Sequence, residues 1–158
     1  MKKYLSTLVI LAVLIPCLLL ATGTVTQTYT NIYSSEGSTN LAKLSVVLTS
    51  NASGTASGAT STTITDQIAG KYIVRAVTKP DGTDYPDANY DITILDENNV
   101  DVMGSVLLNR ASGATEQATP YIGALYGPCP ITGALTITSI DMGSGKTTTL
   151  ILELSRQR

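Results

Sequence analysis

Short runs of alternating apolar and polar residues, separated by dense turn formers, constrain the fold of this chain more than any other feature. Leu41–Thr49 (LAKLSVVLT) and Lys71–Thr78 (KYIVRAVT) are rich in β-branched residues and alternate in hydropathy. After residue 23, no stretch shows the 3.6-residue period of an amphipathic helix. Such runs recur roughly every 8–12 residues, so we predict an all-β fold: an antiparallel β-sandwich, jelly-roll or immunoglobulin-like, with about seven to nine strands.

Two pairs of strands flank short turns and are predicted to form β-hairpins. The first pair is Tyr90–Leu95 and Val100–Leu108, around an acidic Asp-Glu-Asn-Asn turn. The second is Ala134–Ile140 and Thr147–Leu154, around a glycine-containing turn. Thr62–Thr65 is predicted as a further short strand.

Strict alternation along Lys71–Thr78 predicts which side chains share a face of that strand. Tyr72, Val74 and Ala76 are expected on one face. Ile73, Arg75 and Val77 are expected on the other.

The chain begins with a basic and then strongly apolar segment. Lys2 and Lys3 precede an apolar run over residues 4–21, and small residues follow it. This order is typical of a cleaved signal peptide. The run also reaches nearly the ~20 residues that a membrane-spanning helix needs, so an uncleaved membrane anchor is an alternative. A lipoprotein site at Cys17 is a third, which Pro16 disfavours because a lipidation site has a small residue before the cysteine.

These features divide the chain into three parts. Residues 1–23 form a signal peptide or membrane anchor with a hydrophobic helix, residues 24–40 an extended N-terminal arm, and residues 41–158 the sandwich domain. In the arm, threonines alternate with Val25, Gln27 and Tyr29, which also permits an edge strand. An exported or envelope location follows from the leader, with membrane contact through residues 4–21 if it is retained.

Composition excludes several functions. The chain has no histidine, so a Ser-His-Asp or Cys-His catalytic site cannot form. The formal net charge is −2, and no basic stripe suggests nucleic-acid binding. After leader cleavage Cys129 is the single remaining cysteine and cannot form an internal disulfide. We therefore predict a protein that is not an enzyme and that carries no cofactor.

One motif and two acidic clusters have some of the residues of known ligand-binding sites. GSGKTT (residues 143–148) resembles the end of a phosphate-binding loop, but Ile140 occupies the position of its first glycine and a strand follows. Asp96, Asn98 and Asp101 are weak calcium candidates, because the loop lacks the central glycine and the final glutamate. The second cluster comprises Asp81, Asp84, Asp87 and Asp91. For both clusters, turn capping is the favoured interpretation.

Four tyrosines fall in predicted loops or at their ends and are candidates for a contact surface. They are Tyr85, Tyr90, Tyr121 and Tyr126. Tyrosine offers a large amphipathic contact area at low entropic cost. The alternative is that these side chains cover a small core.

Two segments carry a resemblance to a known group of proteins. They are VTKPDGTDYPDANYDITILDENNVDVMGSVLLNRA (residues 77–111) and ITGALTITSIDMGSGKTTTLILEL (residues 131–154). Over about residues 70–154 the chain resembles small β-sandwich proteins, mostly uncharacterised, encoded in tailed-bacteriophage virion gene clusters. The shared features are a proline-containing turn, a Tyr-Asp-hydrophobic-Thr strand and an Asn-Arg pair, here Pro86, Tyr90–Thr93, and Asn109 with Arg110. The resemblance implies a virion or assembly role without catalytic residues, although the family members lack a leader.

The sequence thus predicts a non-enzymatic structural protein that acts by protein–protein contact. Its partners are expected to be further copies of itself or another shell or surface protein, through exposed strand edges. The alternative is a surface binding module, secreted or attached to the envelope, of an adhesin-like or glycan-binding kind.

Overall fold

The structure, a computed structural model, describes residues 23–32 and 41–156 and has an all-β fold. Two antiparallel sheets share one core, which confirms the all-β class and a sandwich-like arrangement. The described residues form eleven strands, so the predicted number of seven to nine is too low. The predicted hydrophobic helix over residues 4–21 lies outside the described residues, as do residues 33–40 of the predicted arm. In chain order the elements are β1 (Thr24–Ile32), β2 (Leu41–Thr49), β3 (Ala56–Ala59), α1 (Thr62–Ile68), β4 (Tyr72–Pro80), β5 (Asp91–Leu95), β6 (Glu116–Ala118), β7 (Tyr121–Ile122), β8 (Leu125–Tyr126), β9 (Cys129–Pro130), β10 (Thr136–Ile140) and β11 (Thr147–Ser155).

The larger sheet has six strands in the order β1-β2-β11-β4-β6, with β9 also paired to β4. The smaller sheet has the order β3-β10-β5, and β7 pairs with β8 as a separate two-stranded element. The central strands β2 and β11 pair over nine residues each, from Leu41 with Ser155 to Thr49 with Thr147. These two strands are far apart in the sequence. Their pairing therefore holds an early strand and the last strand of the described chain side by side.

The core lies between the two sheets, and the alternation of the strands explains its composition. Every second residue of β2, from Ala42 to Leu48, is buried, and the same holds for β11 from Thr148 to Leu154. Ile92 and Ile94 of β5 and Ile137 of β10 face them from the smaller sheet. The predictions of strands at Leu41–Thr49 and Thr147–Leu154 are therefore confirmed.

Strand β4 does not alternate as predicted. Its register against β11 shifts, so that Glu153 pairs with Arg75 and the next residue, Leu154, pairs with Ile73. Val74 is the extra residue of a β-bulge. As a result Ile73 and Ala76 are both buried on the same side of the sheet, and the prediction that they lie on opposite faces is wrong.

The first predicted hairpin is only half present. The turn after β5 forms, with the N–H of Asp96 donating to the carbonyl of Val100. Residues 101–110, however, form consecutive turns, so the predicted strand Val100–Leu108 is wrong. Three residues of this segment, Gly104, Ser105 and Asn109, have positive φ, which a strand cannot accommodate. The segment covers the free edge of β5 through single hydrogen bonds, such as Ile92 N–H to the Leu107 carbonyl at 3.0 Å.

The second predicted hairpin is also wrong, although both of its strands exist. Strand β10 belongs to the smaller sheet and β11 to the larger one, so the intervening turn crosses between sheets. Asp141 and Gly143 have positive φ in this turn, and the carbonyl of Gly143 accepts a hydrogen bond from the Ser50 hydroxyl at 2.5 Å. Residues 143–148 form this turn and the start of β11, with no helix after the lysine.

Two further segments differ in detail from the expectation. Thr62–Thr65 belongs to helix α1 and is not a strand. Ser61 caps the helix, since its hydroxyl accepts the N–H of Ile64 at 3.3 Å, and Ile68 is buried one turn later. Strand β1 takes up residues 24–32 of the predicted arm and pairs with β2 over nine residues as an edge strand of the larger sheet.

Candidate contact surface

A small hairpin formed by β7 and β8 is the most unusual surface feature of the described structure. Tyr121 pairs with Tyr126 and Ile122 pairs with Leu125. The two connecting residues, Gly123 and Ala124, have φ values of 60° and 66°. Two positive φ values in succession define a type I′ turn, whose twist matches that of a β-hairpin.

All four paired side chains of this hairpin are large, apolar or aromatic, and exposed. Their exposed fractions are 37% for Tyr121, 44% for Ile122, 73% for Leu125 and 73% for Tyr126. Because side chains alternate along a strand, the tyrosine pair lies on one face and the Ile122–Leu125 pair on the other. The two tyrosine rings pack with centroids 4.6 Å apart and planes inclined by 43°. We call these four residues the hairpin patch.

The base of the hairpin is held by backbone contacts. The N–H of Tyr121 donates to the carbonyl of Met103 at 3.2 Å, and the N–H of Gly127 donates to the carbonyl of Pro120 at 3.0 Å. Gly104, with φ of +65°, permits this approach, since a Cβ at that position would lie 1.7 Å from the carbonyl oxygen of Tyr121. The hairpin patch is therefore a positioned element.

Tyr126 stands between two surface grooves. One, of about 330 Å³, is lined by Ile122, Leu125, Tyr126 and the segment from Gly127 to Pro130. The other, of about 360 Å³, is lined by Tyr126, Val106, Arg110 and residues 117–119. An exposed aromatic side chain beside concave surface can insert into a partner, and the grooves can accept side chains of that partner.

Arg110 lines the second groove and is held in place there by contacts within the chain. It is 6% exposed, and its Nε and Nη2 atoms donate to the Thr78 hydroxyl at 3.1 and 3.0 Å. Nε also lies 3.3 Å from a carboxylate oxygen of Glu116. The guanidinium is thus partnered within the chain and supports the shape of the groove.

The structure places the four predicted contact tyrosines in different environments. Tyr121 and Tyr126 are brought together in the hairpin patch. Tyr85 is 48% exposed and lies in the loop after β4. This loop contacts the start of β11, where the N–H of Thr147 donates to the carbonyl of Asp84 at 2.7 Å. Tyr90 is fully buried, so its proposed place in a contact surface is wrong, because it belongs to the core.

Of the weak calcium candidates Asp96, Asn98 and Asp101, the two aspartates cap turns, and Asn98 donates its backbone N–H to Asp96. Asp96 accepts the N–H groups of Asn98 and Val100 at 2.8 and 2.9 Å. Asp101 accepts those of Met103 and Ser105 at 3.0 and 2.7 Å. The backbone hydrogen bond from Val100 lowers the pKa of Asp96. Within residues 23–32 and 41–156, no group of three or more acidic or cysteine side chains is arranged to hold a metal ion.

Cys129 is 8% exposed and lies in β9 at the margin of the first groove. Burial, with smaller contributions from the charges of Asp96 and Asp101, raises the pKa of its thiol. A thiol with a raised pKa is protonated near neutral pH and is a poor nucleophile.

Sequence reasoning missed Ile122 and Leu125, which lie in a segment predicted as a loop (residues 120–132). The signal was present in Tyr-Ile-Gly-Ala-Leu-Tyr, where two apolar pairs flank a two-residue turn that begins with glycine. Two-residue strands are too short for periodicity to reveal.

No protein-family model matches the chain, and no curated protein matches it. Within residues 23–32 and 41–156, no helix is long and apolar enough to cross a bilayer.

Proposed function

We propose that this protein is a non-enzymatic structural protein that acts by protein–protein contact, as a subunit of an extracellular or virion-type assembly. The observation that carries the proposal is the hairpin patch. It presents exposed apolar side chains on both faces of a positioned hairpin, and Tyr126 lines two adjoining grooves.

The free energy of burying apolar side chains favours a bound partner at the hairpin patch. Leu125 and Tyr126 are each 73% exposed, and burying such a side chain fully contributes about 1.5–3 kcal/mol. Aromatic residues are enriched at interface centres, whereas single exposed apolar residues are ordinary. A cluster of four on one hairpin is the kind of patch that marks a contact site. We propose a further copy of this chain, or another shell or surface protein, as the partner.

Several parts of the proposal rest on sequence. The apolar run over residues 4–21 supports export to the envelope, the medium or a virion, with membrane attachment if it is retained as a helix. The resemblance over residues 70–154 supports a virion gene cluster as the setting and a jelly-roll or immunoglobulin-like sandwich. No cofactor and no nucleic acid are part of the proposal.

The intact mass of the native protein tests whether the leader is cleaved. A mass that corresponds to a chain beginning near Thr24 indicates cleavage, and a mass that corresponds to a chain beginning at Met1 indicates retention.

The edge strand β1 is a second proposed contact. Among the described residues, β1 pairs with a strand along one edge alone, and its second edge can pair with another chain. Val25 and Tyr29 of this strand pack partly against the core. We propose that β1 is exchanged between subunits in the assembly. If a chain lacking residues 24–40 assembles as the full chain does, strand exchange is excluded.

The main test is a double substitution, Leu125→Ser with Tyr126→Ser, examined by sedimentation velocity over a range of protein concentrations. We expect the full chain to self-associate, or to bind its shell partner, and the variant to lose that association. Ile140→Ser is the matched control, because Ile140 is 42% exposed and lies outside the hairpin. Equal association of the double variant and the full chain would exclude the hairpin patch as the contact.

A second candidate function, a glycan-binding or adhesin-like module, is favoured by the tilted pair of exposed tyrosine rings. Aromatic rings supply an apolar face for a sugar ring together with a polar hydroxyl. Under this hypothesis the monomer binds a glycan and Tyr121→Ala abolishes binding, whereas Ile122→Ala leaves it intact. Self-association without glycan binding would favour the structural role.

A further inference from the structure

A polar pocket lies where one end of the larger sheet meets helix α1. Its volume is about 260 Å³, and its lining comes from β1, α1, the residue before β4 and the residue after β11: Tyr29, Asn31, Asp66, Gln67, Lys71 and Arg156. We call it the cationic pocket. It shares no residue with the hairpin patch.

Lys71 is the buried residue of this pocket. Only 5% of its surface is exposed, which is rare for a lysine without a partner. Its backbone is held on both sides: the N–H donates to the carbonyl of Ile68 at 3.0 Å, and the carbonyl accepts the N–H of Ile131 at 2.8 Å. Gly70, with φ of +73°, makes the turn that brings the chain from α1 into this position. The side chain is therefore directed by a fixed backbone.

The charge of Lys71 is not neutralised within the described chain. Its ammonium lies 5.9 Å from the ring centroid of Tyr29. The ion pairs formed among residues 23–32 and 41–156 are Arg75 with Glu153 and Arg110 with Glu116, so Lys71 and Arg156 take part in none. Burial lowers the pKa of Lys71 most, because it disfavours the charged ammonium, and the nearby positive charge of Arg156 lowers it further.

We infer that the cationic pocket binds a carboxylate group. Lys71 and Arg156 bring two positive charges and Asp66 one negative charge, so the lining carries a net charge of +1. The amides of Asn31 and Gln67 add hydrogen-bond donors, while the Asn31 oxygen already accepts the Tyr29 hydroxyl at 2.7 Å. A singly charged, planar carboxylate matches this balance and can form paired hydrogen bonds with a guanidinium. A doubly charged phosphate is disfavoured by Asp66.

Two sources can supply that carboxylate: an acidic side chain of another protein molecule, or a small free carboxylic acid. The chemistry in the pocket is the same for both. The inference goes beyond the proposed contact function, because it concerns different residues and holds whether or not the hairpin patch binds a partner.

The test is nuclear magnetic resonance of the full chain carrying ¹³C-labelled lysine, titrated with sodium acetate and, at equal ionic strength, with sodium chloride. We expect the Lys71 signal to shift saturably with acetate and not with chloride. Lys71→Met should abolish saturable binding detected at the neighbouring backbone amides. Lys79→Met is the matched control, since Lys79 is an exposed lysine of β4, the strand that Lys71 immediately precedes, and it should leave binding unchanged.

Two further variants keep the test informative if Lys71→Met fails to fold. Arg156→Gln changes an exposed residue beyond β11 and should weaken acetate binding by about tenfold, the contribution of one charge-assisted hydrogen bond. Asp66→Asn removes the one negative charge of the lining, so it should tighten acetate binding and admit phosphate.

The same experiment identifies which molecule supplies the carboxylate. A Lys71 signal that shifts with protein concentration alone, in step with association, assigns the carboxylate to a second copy. A signal that moves only when acetate is added assigns it to a free acid. The inference is overturned if acetate and chloride act alike, or if Lys71→Met and Arg156→Gln bind acetate as the full chain does.

Discussion

The hydroxyl of Tyr90 lies 3.1 Å from the hydroxyl of Thr148 inside the core. Tyr90 immediately precedes β5 of the smaller sheet, Thr148 belongs to β11 of the larger sheet, and both are fully buried. The pair therefore links the two sheets by a polar contact within an otherwise apolar interior. Across the described ranges, every side-chain nitrogen and oxygen that is wholly shielded from solvent has a hydrogen-bond partner, so the contact between the sheets leaves no such atom unpaired.

Tyr90→Phe should lower the free energy of unfolding by about 1–2 kcal/mol, because it removes a hydrogen bond and leaves the Thr148 hydroxyl with one partner fewer. Urea denaturation measures the change. Tyr85→Phe is the control, since Tyr85 is 48% exposed, and it should have no measurable effect. Equal effects of the two substitutions would mean that the Tyr90 hydroxyl does not contribute to stability.

Stability should also fall at alkaline pH through Tyr90. Burial raises the pKa of its phenol above the ordinary value, so the folded state holds a proton that the unfolded state releases near pH 10. The stabilisation is fully present below the ordinary pKa and is lost as the pH rises through the raised one. The unfolding free energy of Tyr90→Phe should therefore decline less steeply above pH 10, and parallel curves for the two proteins would contradict this.

Two arginines associated with strand β4 should differ sharply in their contribution to stability: Arg110, whose side chain bonds Thr78 of this strand, and Arg75, which belongs to the strand itself. Arg110 is 6% exposed and donates twice to Thr78, so Arg110→Met should destabilise the fold by about 2–3 kcal/mol. Arg75 pairs with Glu153 on the solvent side, where the two side chains are 45% and 33% exposed. Arg75→Met should cause little change, since surface ion pairs are screened by water. Thermal unfolding of both variants tests the order, and the reverse order would contradict it.

Gly104→Ala should destabilise the protein by about 2 kcal/mol or more. An alanine at φ of +65° is strained by about 1–2 kcal/mol, and its Cβ would overlap the carbonyl of Tyr121. Gly113→Ala provides the control, because no atom lies within 4 Å of the added Cβ and its φ is not in the left-handed region. Backbone amide shifts of residues 121–126 should move in the first variant alone. Unchanged hairpin signals in Gly104→Ala would show that the base of the hairpin adjusts freely.

Asp96→Asn should destabilise the fold at neutral pH and have little effect in acid. Backbone hydrogen bonds lower the pKa of Asp96, so its contribution to stability exists above the ordinary carboxyl pKa and disappears as the pH falls through the lowered value. Denaturation curves between pH 2 and pH 7 measure this, with Asp84→Asn as an exposed control. A constant difference between Asp96→Asn and the full chain at all pH values would exclude the carboxylate charge as the cause.

The strongest strands were readable from the sequence because their environment repeats. In β2 and β11 each inward position meets the same core, so alternation persists over nine residues. The capping roles of Asp96 and Asp101 were also predictable, because these hydrogen bonds are local.

Other features depend on contacts far apart in the chain and were not predictable. The bulge at Val74 is set by the register of β4 against β11. The separation of β10 and β11 into different sheets depends on which partners each strand finds. Tyr90 is buried because Thr148, 58 residues later, supplies a polar partner within the core.

The sequence by itself determined the all-β class, the principal strands and the absence of histidine chemistry, since these follow from composition and from periodicity within short windows. Only the tertiary structure decided which tyrosines are exposed, that Ile122 and Leu125 join Tyr121 and Tyr126 in one patch, and that Lys71 and Arg156 line one pocket. The physical reason is that burial and proximity are properties of packing, which brings together side chains that no local pattern relates.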